Sequence, residues 1–324
     1  MPSNADFKVT LNDGNVMPQF ILGTPDSPPD YEAVPDVVKA FVRLGLRAID
    51  TAWFYGAEPY VGKALKELFD AGEVKREELF ITTKVWPALW DRAEFSLKKS
   101  LSDLGLDYVD LVFHHWPVCF DGTDENGLPK VPRDDKGRIP FAKDADWLTT
   151  YKDLLKLRDA GLAKSVGVSN YTIKHIKRAI DETGVVPAVL QVELHPRIPQ
   201  LDLVKYAESQ GIKVEAYSPL GHNGAPLLKE PLIQKLAEKY NVEPAFILYA
   251  YHVNRGRIVI TKTTKVERVK TFGETIIPTL SSEDLDALDD LGIKNPKRFV
   301  QNDWGVGLGF EHWKEKFSWE EDQN

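Results

Sequence analysis

A carboxylate, a phenol, an ammonium and an imidazole stand in this sequence at the polar ends of short apolar segments. Asp50 closes R-A-I-D-T-A (47–52), with Tyr55 just after it; Lys84 closes the core of L-F-I-T-T-K-V-W (79–86), and His115 closes Y-V-D-L-V-F-H-H (108–115). Singly, each has an ordinary use as a helix cap, a snorkelling amine or a core aromatic. Together they form an acid–base set. A phenol near its reference pKa of about 10 is a poor proton donor at neutral pH unless its phenolate is stabilised. A neighbouring ammonium, Lys84, would supply that stabilisation, and Asp50 would hold the ammonium in place and keep it charged in a partly dry site. His115 is suited to orient a carbonyl oxygen or share its proton. The chemistry is polarisation and protonation of an oxygen. It calls for no metal, and no His/Cys/carboxylate cluster with ligand spacing is evident in the sequence.

Such residues, far apart in the chain, meet only if strand ends converge. Eight short segments rich in β-branched residues recur: F-I-L-G-T, R-A-I-D-T-A, L-F-I-T-T-K-V-W, Y-V-D-L-V-F-H-H, K-S-V-G-V-S-N, A-V-L-Q-V-E-L, K-V-E-A-Y-S-P and R-I-V-I-T-K-T. Between them, 34–45, 58–72, 146–161 and 231–240 carry apolar residues at i, i+3 and i+4, and Gly45, Gly72, Gly161 and Gly211 fall where helices should stop. Apolar strands alternating with helices predict an α/β fold, the (β/α)8 TIM barrel. An open doubly wound sheet is the runner-up, weakened by the lack of G-x-G-x-x-G after the first strand. Residues 7–20 read as an N-terminal hairpin turning at Asp13-Gly14. No linker or composition break divides the chain, so 1–324 is read as one domain. Residues 117–145, a long loop after the fourth barrel strand, and the tail 293–324 exceed what a barrel needs. Barrel chemistry sits at the C-terminal ends of strands, so the loop is expected to be a lid or specificity element.

The 324 residues are 43% hydrophobic, enough for a core that needs no staples, and the single cysteine, Cys119, rules out an internal disulfide and suits a reducing compartment. The N-terminus lacks the basic and apolar regions of a leader, and no apolar run approaches the ~18 residues of a membrane span. The expectation is a cytoplasmic protein, monomeric or a weak homodimer. A net charge of −8 argues against nucleic acid or an anionic membrane as partner. An anionic ligand must then be met by a local basic site.

Seven motifs, in order, carry a resemblance: D-T-A-x-x-Y-G-x-E (50–58), I-T-T-K-V-W (81–86), D-L-V-F-H-H-W-P (110–117), G-V-S-N (167–170), Q-V-E (191–193), A-Y-S-P-L-G (216–221) and I-T-K-T (260–263) followed by Arg268. Over almost its whole length the chain resembles the aldo-keto reductase superfamily, in particular fungal aldose and xylose reductases. The resemblance implies Tyr55 as general acid, Lys84 and Asp50 as the groups that tune it, and His115 as the substrate-orienting residue. It implies a nicotinamide cofactor whose carboxamide meets Ser169, Asn170 and Gln191 and whose ring stacks on Tyr217, with Ser218 and Leu220 beside it. Lys262, Thr263 and Arg268 match the site for a 2′-phosphate, which makes NADPH the expected cofactor. NADH stays possible, because Thr271 and Phe272 depart from the family at adenine-contacting positions. Pro25 stands where many relatives have a pocket-wall Trp.

By the same resemblance Trp53, Phe54, Trp86 and Trp116 belong to the substrate-binding mouth. The tail R-F-V-Q-N-D-W (298–304) is similar to the end of fungal xylose reductases, which implies Asn302 as a contact to sugar hydroxyls. The expected substrate is a small carbonyl compound: a pentose, a short aldose, a uronic acid or glyceraldehyde, rather than a bulky steroid. The competing expectation is a structural or regulatory barrel that binds the nucleotide with little turnover; retention of the whole Asp50/Tyr55/Lys84/His115 set argues against it. A barrel metallohydrolase would need histidines on several strand ends, and besides His114 and His115 only His195 is near one. Strand alternation aims His114 away from His115.

Overall fold

The computed structural model describes residues 3–302, 304 and 307–313. A short hairpin, β1 (Lys8–Thr10) and β2 (Val16–Pro18), precedes eight strands: β3 (Phe20–Gly23), β4 (Ala48–Asp50), β5 (Phe80–Val85), β6 (Val109–His114), β7 (Ala163–Ser169), β8 (Val189–Glu193), β9 (Lys213–Tyr217) and β10 (Ile258–Lys262). These eight pair in parallel, each with its sequence neighbour, and β10 returns to β3, closing a barrel. The fold is the expected (β/α)8 barrel. The hairpin is shorter than the sequence suggests, because Phe20 already belongs to the barrel, paired with Val259.

Around the barrel lie α1 (Val34–Arg43), α2 (Glu58–Asp70), α3 (Ala93–Leu104), α4 (Leu148–Asp159), α5 (Ile173–Thr183), α6 (Leu201–Ser209), α7 (Pro231–Tyr240), α8 (Pro244–Val253), α9 (Val266–Glu274) and α10 (Ser282–Lys294). Two helices, α7 and α8, fill the crossover from β9 to β10. From Phe246 to Val253 every residue of α8 is buried, so it lacks the amphipathic period that marks α7.

Strand alternation sorts the core into two bodies. One lies between sheet and helices; the other fills the barrel with Ile21, Ala48, Leu111, Phe113, Val189, Ile258 and Ile260. Leu11 and Met17 of the hairpin pack into this inner cluster, so the hairpin plugs the end opposite the strand C-termini. Phe113 fits because its neighbour in β7 is Gly167, where an added Cβ would meet the phenyl ring at 2.6 Å. At the other end the inward positions turn polar, and the site begins there. Among the described residues no helix is long and apolar enough to cross a membrane.

Candidate active site

Asp50 is the last residue of β4 and Lys84 the penultimate residue of β5, both aimed into the barrel. The Lys84 ammonium donates to Asp50 Oδ1 at 2.8 Å, to Oδ2 at 2.6 Å and to the Thr51 carbonyl at 2.9 Å. Asp50 Oδ1 also accepts from the Thr82 hydroxyl at 2.7 Å and from Gln191 Nε2 at 3.1 Å. Lys84 has no solvent exposure and Asp50 only 3%. Burying either charge alone would cost several kcal/mol, roughly 3–5 where one partner is removed, so each exists here because of the other. Burial, the largest influence, works against the ammonium, but Asp50, Tyr55 and Glu215 together outweigh it and raise the Lys84 pKa above its ordinary value.

Tyr55 ends a 3₁₀ turn, Trp53–Tyr55, beyond β4. Its ring lies 4.8 Å from Lys84 Nζ and, in T-shaped contact, 5.7 Å from the His115 ring. The sequence suggests that Lys84 would make this phenol more acidic. Its pull is present, but burial outweighs it, Asp50 adds to burial, and the Tyr55 pKa is pushed up to about 12. Tyr55 therefore keeps its proton across the physiological range. His115, 6% exposed, is kept neutral: burial first, then Lys84 and His114, push its pKa well below the usual value. His114 faces the outer wall, where Nδ1 meets the Tyr171 hydroxyl at 2.8 Å.

These groups open onto a cavity of about 1150 Å³ that runs to Lys262, Thr263 and Arg268 beyond β10. Ser169, Asn170, Gln191, Tyr217, Ser218 and Leu220 all line it. Asn170 Nδ2 donates to Ser169 Oγ and to the His115 carbonyl, both at 3.0 Å, and the Tyr217 hydroxyl donates to Asn170 Oδ1 at 2.8 Å. Four lining residues other than glycine hold left-handed backbone, Asn170 at φ +58°, Ser218 at φ +52°, His222 at φ +66° and Ala225 at φ +47°, a strain that collects at binding sites. Lys262 and Arg268 are exposed, and Lys262 Nζ reaches Asp26 at 3.3 Å. Thr271 and Phe272 also border the cavity, although Phe272 is only 5% exposed and packs edge-on to Phe20.

At the other end Phe54, Trp86, Trp116 and Asn302 line the cavity, with Phe54 stacked on Trp86 at 3.7 Å and Trp116 edge-on to Trp304 at 4.4 Å. Trp53 is not among the lining residues. Phe54 and Tyr55 of the same turn line the cavity, whereas the Trp53 ring lies under Lys130, 4.7 Å from its ammonium. Residues 303, 305–306 and 314–324 lie outside the described residues, and with them part of the expected 293–324 tail element.

Several residues at the site carry no sequence signal. The tail is anchored by Glu193, at the end of β8: its carboxylate accepts the backbone N–H of Phe299 at 2.7 Å and of Val300 at 3.1 Å, and Arg298 at 3.3 Å. Q-V-E draws attention to its Gln, yet its Glu is the residue that brings Phe299–Asn302 to the cavity. Glu215 of β9, fully buried near Asp50 and Lys84, is raised well above the carboxylate range by burial and then by Asp50.

A parallel (β/α)8 barrel with a buried ammonium–carboxylate pair beneath a phenol and a neutral imidazole, at one end of a long groove, has the form of an oxidoreductase that works on small carbonyl groups. The Aldo/keto reductase family matches residues 20–293, and the chain belongs to that family. It is 40% identical over 304 residues to the glycerol 2-dehydrogenase (NADP(+)) of Saccharomyces cerevisiae, covering 91% of this chain and 94% of that protein. It is 38% identical over 309 residues to the D-galacturonate reductase of Hypocrea jecorina, covering 93% and 96%. Among solved structures it resembles the aldose reductase of Schistosoma japonicum, with a TM-score of 0.82 at 31% identity over 91% of this chain and 94% of that one.

Proposed function

We propose that the protein is an NADPH-dependent reductase of small aldehydes or aldoses, with Tyr55 as the proton donor. The observation that carries this reading is the placing of the Tyr55 phenol and the neutral His115 imidazole on the cavity, directly above the Lys84–Asp50 pair. The residues suit the cofactor. Exposed Lys262 and Arg268 with Thr263 offer donors to a phosphate dianion at one end, and the Ser169 hydroxyl with the Asn170 and Gln191 amides offers partners for a carboxamide at the other. The Tyr217 ring, held through its hydroxyl by Asn170, lines the cavity and offers a flat surface for the nicotinamide to stack on. The NADP(+) in the name of the yeast relative supports the choice of NADPH. Bound there, the nicotinamide would supply hydride to the carbonyl carbon.

The chain's own residues do the rest. His115, neutral, positions the carbonyl oxygen. Tyr55 donates its proton to that oxygen as it becomes an alkoxide, a far stronger base than a phenolate, so a pKa of about 12 still favours transfer. Lys84 stabilises the phenolate left behind, and Asp50 keeps Lys84 charged. Phe54, Trp86 and Trp116 wall off water, and Asn302 offers a polar contact for a substrate hydroxyl.

The test is loss of NADPH absorbance with D-xylose, L-arabinose, glyceraldehyde, D-galacturonate and an aromatic aldehyde, with NADH in parallel. Turnover of at least one carbonyl is expected, and Tyr55→Phe should abolish it while NADPH still quenches protein fluorescence. Surviving turnover in Tyr55→Phe overturns the assignment of the acid. NADPH binding without turnover of any carbonyl would favour a nucleotide-binding barrel.

A further inference from the structure

The turn that carries Tyr55 has three consecutive carbonyls, and each is held by a side chain from another loop. Lys130, in the long loop after β6, donates from Nζ to the carbonyl of Trp53 at 3.1 Å and to that of Phe54 at 2.8 Å. Tyr31, in the loop after β3, donates from its hydroxyl to the carbonyl of Tyr55. The Lys130 ammonium also lies over two rings of the same turn, 4.7 Å from that of Trp53 and 5.7 Å from that of Phe54. Lys130 is fixed in turn: Trp86 Nε1 donates to its carbonyl at 2.6 Å, and Trp86 stacks on Phe54. Among the described residues Lys130 makes no ion pair, so its charge is committed to backbone oxygens and aromatic faces.

A three-residue 3₁₀ turn cannot satisfy its last carbonyls internally. Left to water, such a turn frays, and the side chain it presents wanders with it. Proton transfer tolerates little of that, since a misplacement of about 1 Å can cost on the order of 10²-fold in rate.

We propose that Lys130 and Tyr31 are positioning residues, which clamp the Trp53–Tyr55 turn so that the Tyr55 hydroxyl is held at the cavity. The proposal rests on the reading of Tyr55 as proton donor. It gives the loop 117–145 a part in the reaction without contact with the reacting atoms.

The test compares Lys130→Met, Lys130→Arg and Tyr31→Phe with the unaltered protein, using the carbonyl of the panel above that is reduced fastest. The rate of NADPH consumption in the first turnover is followed by stopped flow, beside NADPH affinity by fluorescence quenching and thermal melting. Lys130→Met should slow the first turnover about tenfold with NADPH affinity unchanged. Lys130→Arg should recover part of the rate, because a guanidinium can still donate to two carbonyls, and Tyr31→Phe should show a smaller loss of the same kind. The double variant should lose less than the product of the single losses, since both act on one turn. A first-turnover rate per active site equal to the unaltered protein's in both Lys130→Met and Tyr31→Phe, even with lowered melting temperatures, overturns the clamp and leaves Tyr55 in place. Absence of turnover in the unaltered protein overturns the reading of Tyr55, and the clamp with it. Should Lys130→Met fail to fold, Tyr31→Phe decides.

Discussion

The two ends of the cavity are built differently. At the Tyr55–His115 end, buried groups fix one another: Asp50 takes four hydrogen bonds from Lys84, Thr82 and Gln191, and Asn170 is tied to Ser169, His115 and Tyr217. At the Lys262–Arg268 end the cations are exposed, and Lys262 has one long contact, to exposed Asp26. The first arrangement suits chemistry, because dipoles already oriented in a dry site need no reorganisation as charge develops. The second suits recognition of a charged group, because solvated lysine and arginine are inexpensive to keep and can move to meet it. Disturbing the first end should therefore damage rate and stability together, whereas disturbing the second should alter affinity alone.

The largest effect is expected from Lys84→Met. It leaves the Asp50 carboxylate buried without its cation, a loss of about 3–5 kcal/mol in stability. It also removes the positive charge beside Tyr55, and carbonyl reduction should fall about 10²–10⁴-fold. Melting curves and steady-state rates check both. An active, equally stable Lys84→Met would show that the buried pair is neither structural nor part of the reaction.

At the other end, Lys262→Met and Arg268→Met should each weaken NADPH binding about tenfold, the low end for a charge-assisted contact because both residues are exposed. Binding of NADH, melting temperature and the rate at saturating NADPH should hardly change. Titrations with both cofactors at low and at high salt decide it: equal weakening for NADH would mean that these residues do not meet the 2′-phosphate.

Sequence and structure agree best where periodicity and chemistry coincide. Asp50, Lys84 and His115 could be found because apolar alternation brings them to the inner face at strand ends, where a charged residue is unexpected without a purpose. Loops have no period to read. Nothing in D-E-N-G-L-P-K marks Lys130 as the residue that grips the Tyr55 turn, and nothing in the tail shows that Arg298 reaches back to Glu193. Within the aromatic run 53–55, Phe54 and Tyr55 line the cavity and the Trp53 ring lies under Lys130, a division that no period in the sequence marks. Composition could not anticipate that burial would outweigh Lys84 in setting the Tyr55 pKa, since desolvation depends on the packing around the ring.

Strand β5 itself offers the cleanest test of what a partner does for a buried charge. Lys84 points inward and meets Asp50. Thr83, its neighbour, points outward and donates at 2.5 Å to Glu58, which is 1% exposed and has no cation in contact among the described residues. Burial, only partly offset by that hydrogen bond, pushes the Glu58 pKa up to about 7. In the unfolded chain it returns to about 4.3. Between these values the folded protein binds more protons than the unfolded one, so the Glu58 contribution to stability is intact below about pH 4, declines as pH rises towards 7, and is level above it. Glu58→Gln keeps an oxygen for the Thr83 hydroxyl and has no proton to lose. Relative to Glu58→Gln, the unaltered protein should lose roughly 3 kcal/mol between pH 4.5 and pH 8 in denaturant unfolding, while Tyr55 chemistry, on the other face of the sheet, is unaffected. Parallel pH–stability curves for the two proteins would mean that Glu58 is ionised in the fold. In that case burial alone would not decide the charge of an unpaired carboxylate in this barrel, and the need for the Asp50–Lys84 pairing would have to be sought in catalysis rather than in desolvation.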